Sequence, residues 1–489
     1  MKYSESQNLV AIDLGASNGR VVLGRLYRKK LTIEVVHRFD HNIRLIGGHR
    51  RWDWTRIHEE IWSGLARAAE CVGNAPIASV SCDAWAQDFG LLNAQGELFY
   101  PPVSYRDPRT KEIPAGYFDH ISPAELIARV GGCIAPMTTL CQLYVMARDE
   151  PDVLEKASTL LHIADLVHYE LCGVPATDWT LATASMLRNL KTQDWDRELL
   201  ERMRIPCHML PRLVNKPMVL GRISKDRAPH PCLSGVPVIV AANHDTPAAT
   251  AAVSPMDKET IFLSAGTYAM LCCISDEPRV PRDPAGTGYA LLGVSQHRWG
   301  LFSSVAGLWI IQECRRIWGE NKKNISYEEL VQEAKLAEID SVVHFSDTRF
   351  HAPENMPEEI RKVCVETGVR PPETQGEFAK IVFDSIAKDC GNAVSALSEE
   401  TGRRFHRMHI VSGGSRNAYL CQRIADEIHV PVLAGPAEAT AIGNLILQAR
   451  LMNLIPSDEA SAQVLSASFP QIRYEPTTQE SGVRGQESE

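Results

Sequence analysis

Two segments of this chain read as strand, small-residue turn, strand, and they lie about 250 residues apart. The first is VAIDLGASNGRVVLGRL, residues 10–26; the second is ETIFLSAGTYAMLCCI, residues 259–274. Each opens a half of the sequence, and in both halves strand-like runs then alternate with helix-period runs. That pattern predicts an α/β protein built from two related domains around a cleft. Length agrees, because 489 residues exceed what one hydrophobic core serves.

In the first half the strands VAIDLG, VVLGRL and LTIEVVHRF are followed by a helix-period segment, WTRIHEEIWSGLARAAECV. Ile57, Ile61, Leu65 and Ala68 fall on one of its faces. A strand, PIASVSCDA, precedes a largely helical stretch over about 123–205, and the half closes on VPVIVAA. After Pro255 the pattern restarts. A long amphipathic helix carries Phe378, Ile381, Val382, Ser385 and Ile386 on one face. The strand RMHIVSGG, a helix from Asn417, the strand VPVLAG and a helix through Ile442 and Leu445 come next.

A formal net charge of −9 argues against a nucleic-acid partner, which calls for a basic face. It leaves anionic ligands open, since backbone amides and a metal ion hold phosphates without a basic surface. The start, MKYSESQ, has no basic and apolar leader pattern, and no run of about 18 apolar residues suggests a membrane span. The 13 cysteines are scattered and never spaced C-x-x-C, as expected of reduced thiols in the cytoplasm.

The turn at residues 13–20 carries Gly15 and Gly19, which permit positive φ, and the small polar Ser17 and Asn18. Such a turn aims successive N–H groups at one spot and forms an anion site; by itself it also reads as a hairpin with turn glycines. The following VVLGRL is strand-like, which excludes the dinucleotide fingerprint, and no G-x-x-x-x-G-K-[ST] occurs. The second turn, Leu263–Thr267, would let two such units grip a polyphosphate from both sides. Asp13 is then placed to hold Mg²⁺, most simply through water. The third element, VSGGSRN at 411–417, offers Gly413 and Gly414 for the close approach of a flat ring such as adenine. Together these point to ATP.

The run VPVIVAANHDTP delivers Asp245 at the end of an apolar strand with no Lys or Arg beside it. Desolvation there raises a carboxylate's pKa and strengthens it as a base, which is what a hydroxyl acceptor in phosphoryl transfer needs. Asp88 suits bidentate contact with ligand hydroxyls, with a turn or cap carboxylate as the competing reading. His244 either positions a substrate or packs as a cap. Trp309, at helix spacing among Leu308 and Ile311, reads as core. A ligand-responsive regulator is the non-enzyme alternative, and it would carry an added DNA-binding module, which is not seen before Val10.

At these residues the sequence resembles the FGGY family of carbohydrate kinases, and within it the rhamnulokinase branch. The stretches that carry the likeness are VAIDLGASNGRVVLGRL, CDAWAQDFGLLNAQGELFYPPVSYRDPRT, NHDTPAATAAV, FLSAGT, GLWIIQE, HIVSGGSRN and GPAEATAIGN, in the family's order over residues 10–444. The resemblance implies two ribonuclease-H-like domains of the actin–hexokinase type. Residues 8–250 would form the sugar side and 256–452 the nucleotide side, with a polar tail over 476–489. It implies ATP and Mg²⁺ as cofactors and a ketose as acceptor, phosphorylated at C1. L-fuculose, L-xylulose and ribulose stand as alternatives to L-rhamnulose. Ala16, Ser17, Asn18, Gly19 and Arg20 match the first phosphate turn and Thr267 the second. Gln312 matches a nucleotide contact and Gly413 the adenosine motif. His244, Asp245 and Thr246 match the H-D-T whose aspartate is the general base. On the sugar side Ala86 stands where glycine is usual, followed by Gln87 and Asp88, and Ser304 stands where asparagine is usual. A changed hydrogen-bond partner at such positions discriminates among hydroxyl epimers.

Overall fold

The computed structural model describes residues 6–228, 230–283, 288–320, 324–345, 347–350 and 353–477. Of the expected polar tail, only Pro476 and Thr477 fall among the described residues. The chain divides into two compact units, Met1–Lys258 with Cys272–Ser304 and Glu438–Pro470, and Glu259–Leu271 with Val305–Ala437 and Gln471–Glu489. Each unit is discontinuous in sequence.

The first unit is built on a mixed six-stranded sheet of β1 (Gln7–Leu14), β2 (Asn18–Tyr27), β3 (Lys30–Asp40), β4 (Ile77–Ala84), β5 (Met218–Arg222) and β6 (Pro237–Val240), in the order β5-β6-β4-β1-β2-β3. β1, β2 and β3 form an antiparallel meander, whereas β4 runs parallel to both β1 and β6. The central strands are buried on both faces, which explains why β1 and β6 read as continuous apolar runs. Helix α1 (Trp54–Val72) covers one face with the stripe expected of it: Ile57, Ile61, Leu65 and Ala68 are all buried, joined by Trp54, Gly64 and Ala69.

The stretch over 123–205 is helical but interrupted. Two short strands, Thr159–His162 and Ala176–Asp178, lead into α2 (Ile163–Cys172) and α3 (Trp179–Ala184). These strands are three to four residues long, too short for a period-2 signal. Past β6 the chain turns through Asn243 and His244 into the five-residue α4 (Asp245–Ala249). Helix α5 (Ala439–Leu451) joins this unit from far along the chain. It contacts β1, β4 and α4, and its Gly443 sits against the backbone of α4.

In the second unit, strand β7 (Thr260–Ala265) lies parallel to β8 (Arg407–Val411), which is parallel to β9 (Val432–Ala434); β10 (Ile472–Tyr474) closes that edge antiparallel. The long helix Gln375–Thr401 starts in a capping box between Thr374 and Glu377 and buries Phe378, Ile381, Val382, Ser385 and Ile386. One expectation changes here. In the helix Trp309–Glu320 the buried face is Ile310, Ile311, Cys314 and Trp318, and Trp309 is only half-buried. Among the described residues no helix is long and apolar enough to cross a membrane, and all 13 cysteines are free thiols.

Candidate active site

In the first unit the sheet register brings carboxylates together at the ends of its central strands. Asp13 lies opposite Asp83 on β4 and opposite Arg20 on β2. Asp13 Oδ2 accepts from Arg20 Nε at 2.9 Å, and Arg20 Nη1 also meets Glu438 at 2.7 Å. Arg38 reaches the same Glu438 at 3.5 Å and donates to Asn18 Oδ1 at 3.4 Å. Arg20, expected to contact nucleotide, is therefore already tied between two carboxylates. The turn closes by a Gly15 N–H bond to the Asn18 carbonyl at 3.0 Å, with Ala16 half-buried and Ser17 exposed.

The reason for the turn glycines differs from expectation, because neither Gly15 nor Gly19 has positive φ. Gly19 is required sterically: a Cβ there would stand 2.4 Å from the Phe39 ring and 2.9 Å from Leu14.

Asp83 Oδ2 accepts from Asn444 Nδ2 at 2.6 Å, and Asn444 in turn accepts from Gln448 at 2.7 Å. Burial, reinforced by the neighbouring Asp13, raises the pKa of Asp83, with the Asn444 bond opposing. The Oδ1 atoms of both Asp13 and Asp83 are buried without a hydrogen-bond partner. Among the described residues no set of three or more His, Cys, Asp or Glu side chains is placed to hold a metal. The donor set present suits Mg²⁺, which takes one or two carboxylates and completes its shell with water and substrate phosphate.

Asp245 is the first residue of α4. Its Oδ1 accepts from the Thr246 N–H at 2.5 Å and from the Thr246 hydroxyl at 3.1 Å. His244 Nε2 is 3.5 Å away, too far for a hydrogen bond. Desolvation, reinforced by His162, pushes the His244 pKa down to about 3, so its imidazole is neutral and provides no counter-charge. Among the described residues no Lys or Arg pairs with Asp245. Desolvation first and the charge of Asp13 second push its pKa up to about 7, against the Thr246 bonds and Arg20. A quarter of the side chain remains exposed, so the group is open to a ligand.

Two of the sugar-side candidates spend their polar atoms on partners within the protein. Asp88 is fully buried, and its Oδ2 accepts from the indole N–H groups of Trp52 at 2.6 Å and Trp85 at 2.9 Å. Burial pushes its pKa up to about 6 against those bonds. It fixes two indoles whose centroids are 4.6 Å apart and is not presented to a ligand. Gln87, in the left-handed region at φ 82°, uses its amide on backbone: Nε2 donates to the Ala184 carbonyl at 3.1 Å and Oε1 accepts from Thr139 N–H at 3.2 Å. Ala86 is half-buried beside it, Thr246 is half-buried, and Ser304 is exposed at the end of the Cys272–Ser304 segment of the first unit.

In the second unit Thr267, Gln312 and Gly413 come from three segments that meet. The carbonyls of Gly266 and Thr267 accept from the N–H groups of Leu308 and Trp309, both at 3.1 Å, so the turn after β7 sits on the start of the helix carrying Gln312. Gly307 permits this approach, since a Cβ there would lie 2.1 Å from the Thr267 carbonyl oxygen. On the other side a Cβ on Gly414 would be 2.5 Å from that of Ala265, whereas Gly413 faces open space, as a flat ligand requires. Ser412 adopts φ 66° and ψ −165°, a region almost reserved for glycine. It is held there by bonds from Ser415 to its carbonyl, at 3.1 Å from N–H and 2.7 Å from the hydroxyl, and by its own N–H to the Pro436 carbonyl at 3.2 Å.

The sequence alone did not point to Asp83, Asn444 or Asp178. For Asp83 a signal existed, a carboxylate ending the strand that follows α1, but its partner is 361 residues away.

Residues 8–252 match the N-terminal domain of the FGGY family of carbohydrate kinases and residues 261–452 its C-terminal domain. The chain is 33% identical to a rhamnulokinase of Bacteroides thetaiotaomicron over 471 residues, 96% of either chain. It is 34% identical to one of Oceanobacillus iheyensis, covering 96% of this chain and 99% of that one. Among solved structures, Plasmodium falciparum glycerol kinase with ADP superimposes with a TM-score of 0.79 at 14% identity, covering 98% and 95% of the two chains. A gluconate kinase of Lactobacillus acidophilus gives 0.78 at 16% identity, covering 96% and 94%.

Proposed function

The chain belongs to the FGGY family of carbohydrate kinases, and on that basis we propose that it transfers the γ-phosphate of ATP to the C1 hydroxyl of a ketose, L-rhamnulose first among candidates. The observation that carries the reading is Asp245: a carboxylate at the edge of an apolar strand, partly exposed, without a cationic partner, and with a pKa near the working pH. Asp245 takes the proton of the attacking hydroxyl. His244, neutral, hydrogen-bonds the sugar. Asp13 and Arg20 fix the first phosphate turn, residues 16–20, while Thr267, Gln312 and Gly413 bind ATP in the second unit. Residues 8–250 carry the sugar and 256–452 the nucleotide. Asp13 would hold Mg²⁺ through water, and the ion would neutralise phosphate charge. The setting is the cytoplasm, where ATP is at hand and the free thiols stay reduced.

A second acceptor is favoured by particular residues. Ala86 adds a methyl and Ser304 a shorter hydrogen-bonding side chain where the rhamnulokinase pattern has glycine and asparagine, which leaves L-fuculose, L-xylulose and ribulose open as acceptors. The test is ADP release over L-rhamnulose, L-fuculose, L-xylulose, L-ribulose and D-ribulose. The proposal expects a marked preference for one ketose and a 1-phosphate product. ATP hydrolysis indifferent to sugar refutes it.

A further inference from the structure

The turn that carries Asp245 is held from behind by residues outside the family motifs quoted above. Asp178, fully buried at the end of a short strand, accepts four hydrogen bonds. Its Oδ1 takes the Thr180 hydroxyl at 2.7 Å, the Leu181 N–H at 3.1 Å and the Asn243 N–H at 3.3 Å; its Oδ2 takes the Thr180 N–H at 3.2 Å. Two of these only cap α3. The Asn243 bond does not: it reaches 65 residues along the chain to the turn before Asp245.

Thr180 extends the grip by one residue. Because its hydroxyl proton is committed to Asp178, its lone pair faces the His244 N–H, 3.2 Å away. A hydroxyl that donates to a carboxylate is a better acceptor for the next donor, so the chain Asp178, Thr180, His244 is mutually reinforcing. Consecutive backbone N–H groups of the turn, Asn243 and His244, are thus fixed by one carboxylate and one hydroxyl. The Asn243 side chain donates to Asp165 at 3.0 Å, and the Asn243 carbonyl accepts from Ala84 N–H at 2.8 Å, which anchors the turn to β4 beside Asp83. At its other end α3 receives Gln87, through the Ala184 carbonyl.

We propose that Asp178 and Thr180 are positioning residues for the base, with α3 acting as a strut between the Gln87 segment and the Asn243–His244–Asp245 turn. This rests on the reading of Asp245 as the base. The strut sets the orientation of the Asp245 carboxylate toward the acceptor hydroxyl, where small displacements are costly in rate. Thr180 is fully buried, so its loss is expected to act on turnover and leave ATP binding alone.

The test compares Thr180→Val, which removes the hydroxyl at nearly constant shape, with Thr180→Ser, which keeps it. Steady-state ADP release is measured with L-rhamnulose, or with whichever of the five ketoses turns over fastest, and kcat is normalised to sites titrated with ATP by calorimetry. Thr180→Val is expected to lower kcat on the order of 100-fold, with the ATP KM within about twofold of wild type, and Thr180→Ser to restore kcat to within about threefold. Equal kcat in all three proteins overturns the proposal, as does a loss in Thr180→Val that Thr180→Ser shares or that appears in the ATP KM. If Thr180→Val fails to bind ATP, Asp178→Asn, which keeps one acceptor oxygen, takes its place: lowered kcat at unchanged ATP KM supports the proposal, wild-type kcat overturns it. Asp245→Asn in the same assay separates the two ideas. An inactive Asp245→Asn beside a fully active Thr180→Val sinks the strut alone, whereas an active Asp245→Asn sinks the base.

Discussion

Gly443→Ala is a substitution of one methyl group on a helix that carries no catalytic side chain, yet it is expected to disable turnover. Gly443 lies on α5 against α4, the short helix whose first residue is Asp245. A Cβ at Gly443 would stand 2.0 Å from the Ala248 carbonyl oxygen and 2.9 Å from its carbonyl carbon. Ordinary contact begins near 3.4 Å, and both atoms belong to backbone, so no side chain can swing away. The two helices must part by roughly 1 Å, and overpacking of this kind costs about 1–3 kcal/mol. On an open helix face the same change would gain up to about 1 kcal/mol from propensity, so the sign of the stability change reports the contact. Displacing Asp245 by about 1 Å is expected to lower kcat on the order of 100-fold. Thermal unfolding and ADP release measured on the same preparation test both parts. Gly391→Ala serves as the reference: a Cβ there meets Glu427 at an ordinary 3.5 Å, and a gain in stability with wild-type kcat is expected. A Gly443→Ala protein with wild-type kcat would refute the reasoning, since α4 would then have kept its place despite the clash.

Two further outcomes follow from the site. Asp245→Asn should stabilise the fold at pH 8 and change little near pH 4. The folded-state pKa, about 7, lies above the ordinary 3.8, so the native state binds more protons than the unfolded chain between those values and loses stability as pH rises through them. Removing the group removes that loss, worth a few kcal/mol at most given its partial exposure, and denaturant melts at the two pH values measure it. Gly414→Ala should raise the Kd for ATP about tenfold or more while leaving the sugar KM near wild type, because its Cβ would sit 2.5 Å from that of Ala265 and 2.9 Å from the Ala265 carbonyl, disturbing the turn before Thr267. Calorimetric titration with ATP checks it.

The elements that were legible in the sequence are those set by local pattern. The face of α1, the buried stripe of the helix Gln375–Thr401, and the twin strand–turn–strand openings all follow from local spacing. The isolation of Asp245 from cations was legible for the same reason: the neighbouring sequence offers none. What escaped was set by register and distant packing. Asp13 meets Asp83 only because β1 and β4 are parallel neighbours with that alignment. Asp88 Oδ2 is taken by Trp52, 36 residues back, as well as by Trp85, so a carboxylate that looked available for a sugar is enclosed. The glycine at 19 looked like a conformational need and is a steric one, imposed by Phe39 on the adjacent strand. Asp178 reads as a plain helix cap until β6 brings Asn243 to it.

The central claim is that Asp245 receives the proton of the sugar hydroxyl. The kcat of Asp245→Asn relative to wild type, measured by ADP release at pH 8 with saturating ketose and ATP, tests it most directly. The account predicts a fall of at least about 1000-fold, within the range general bases supply, with ATP affinity preserved. Turnover within tenfold of wild type contradicts it.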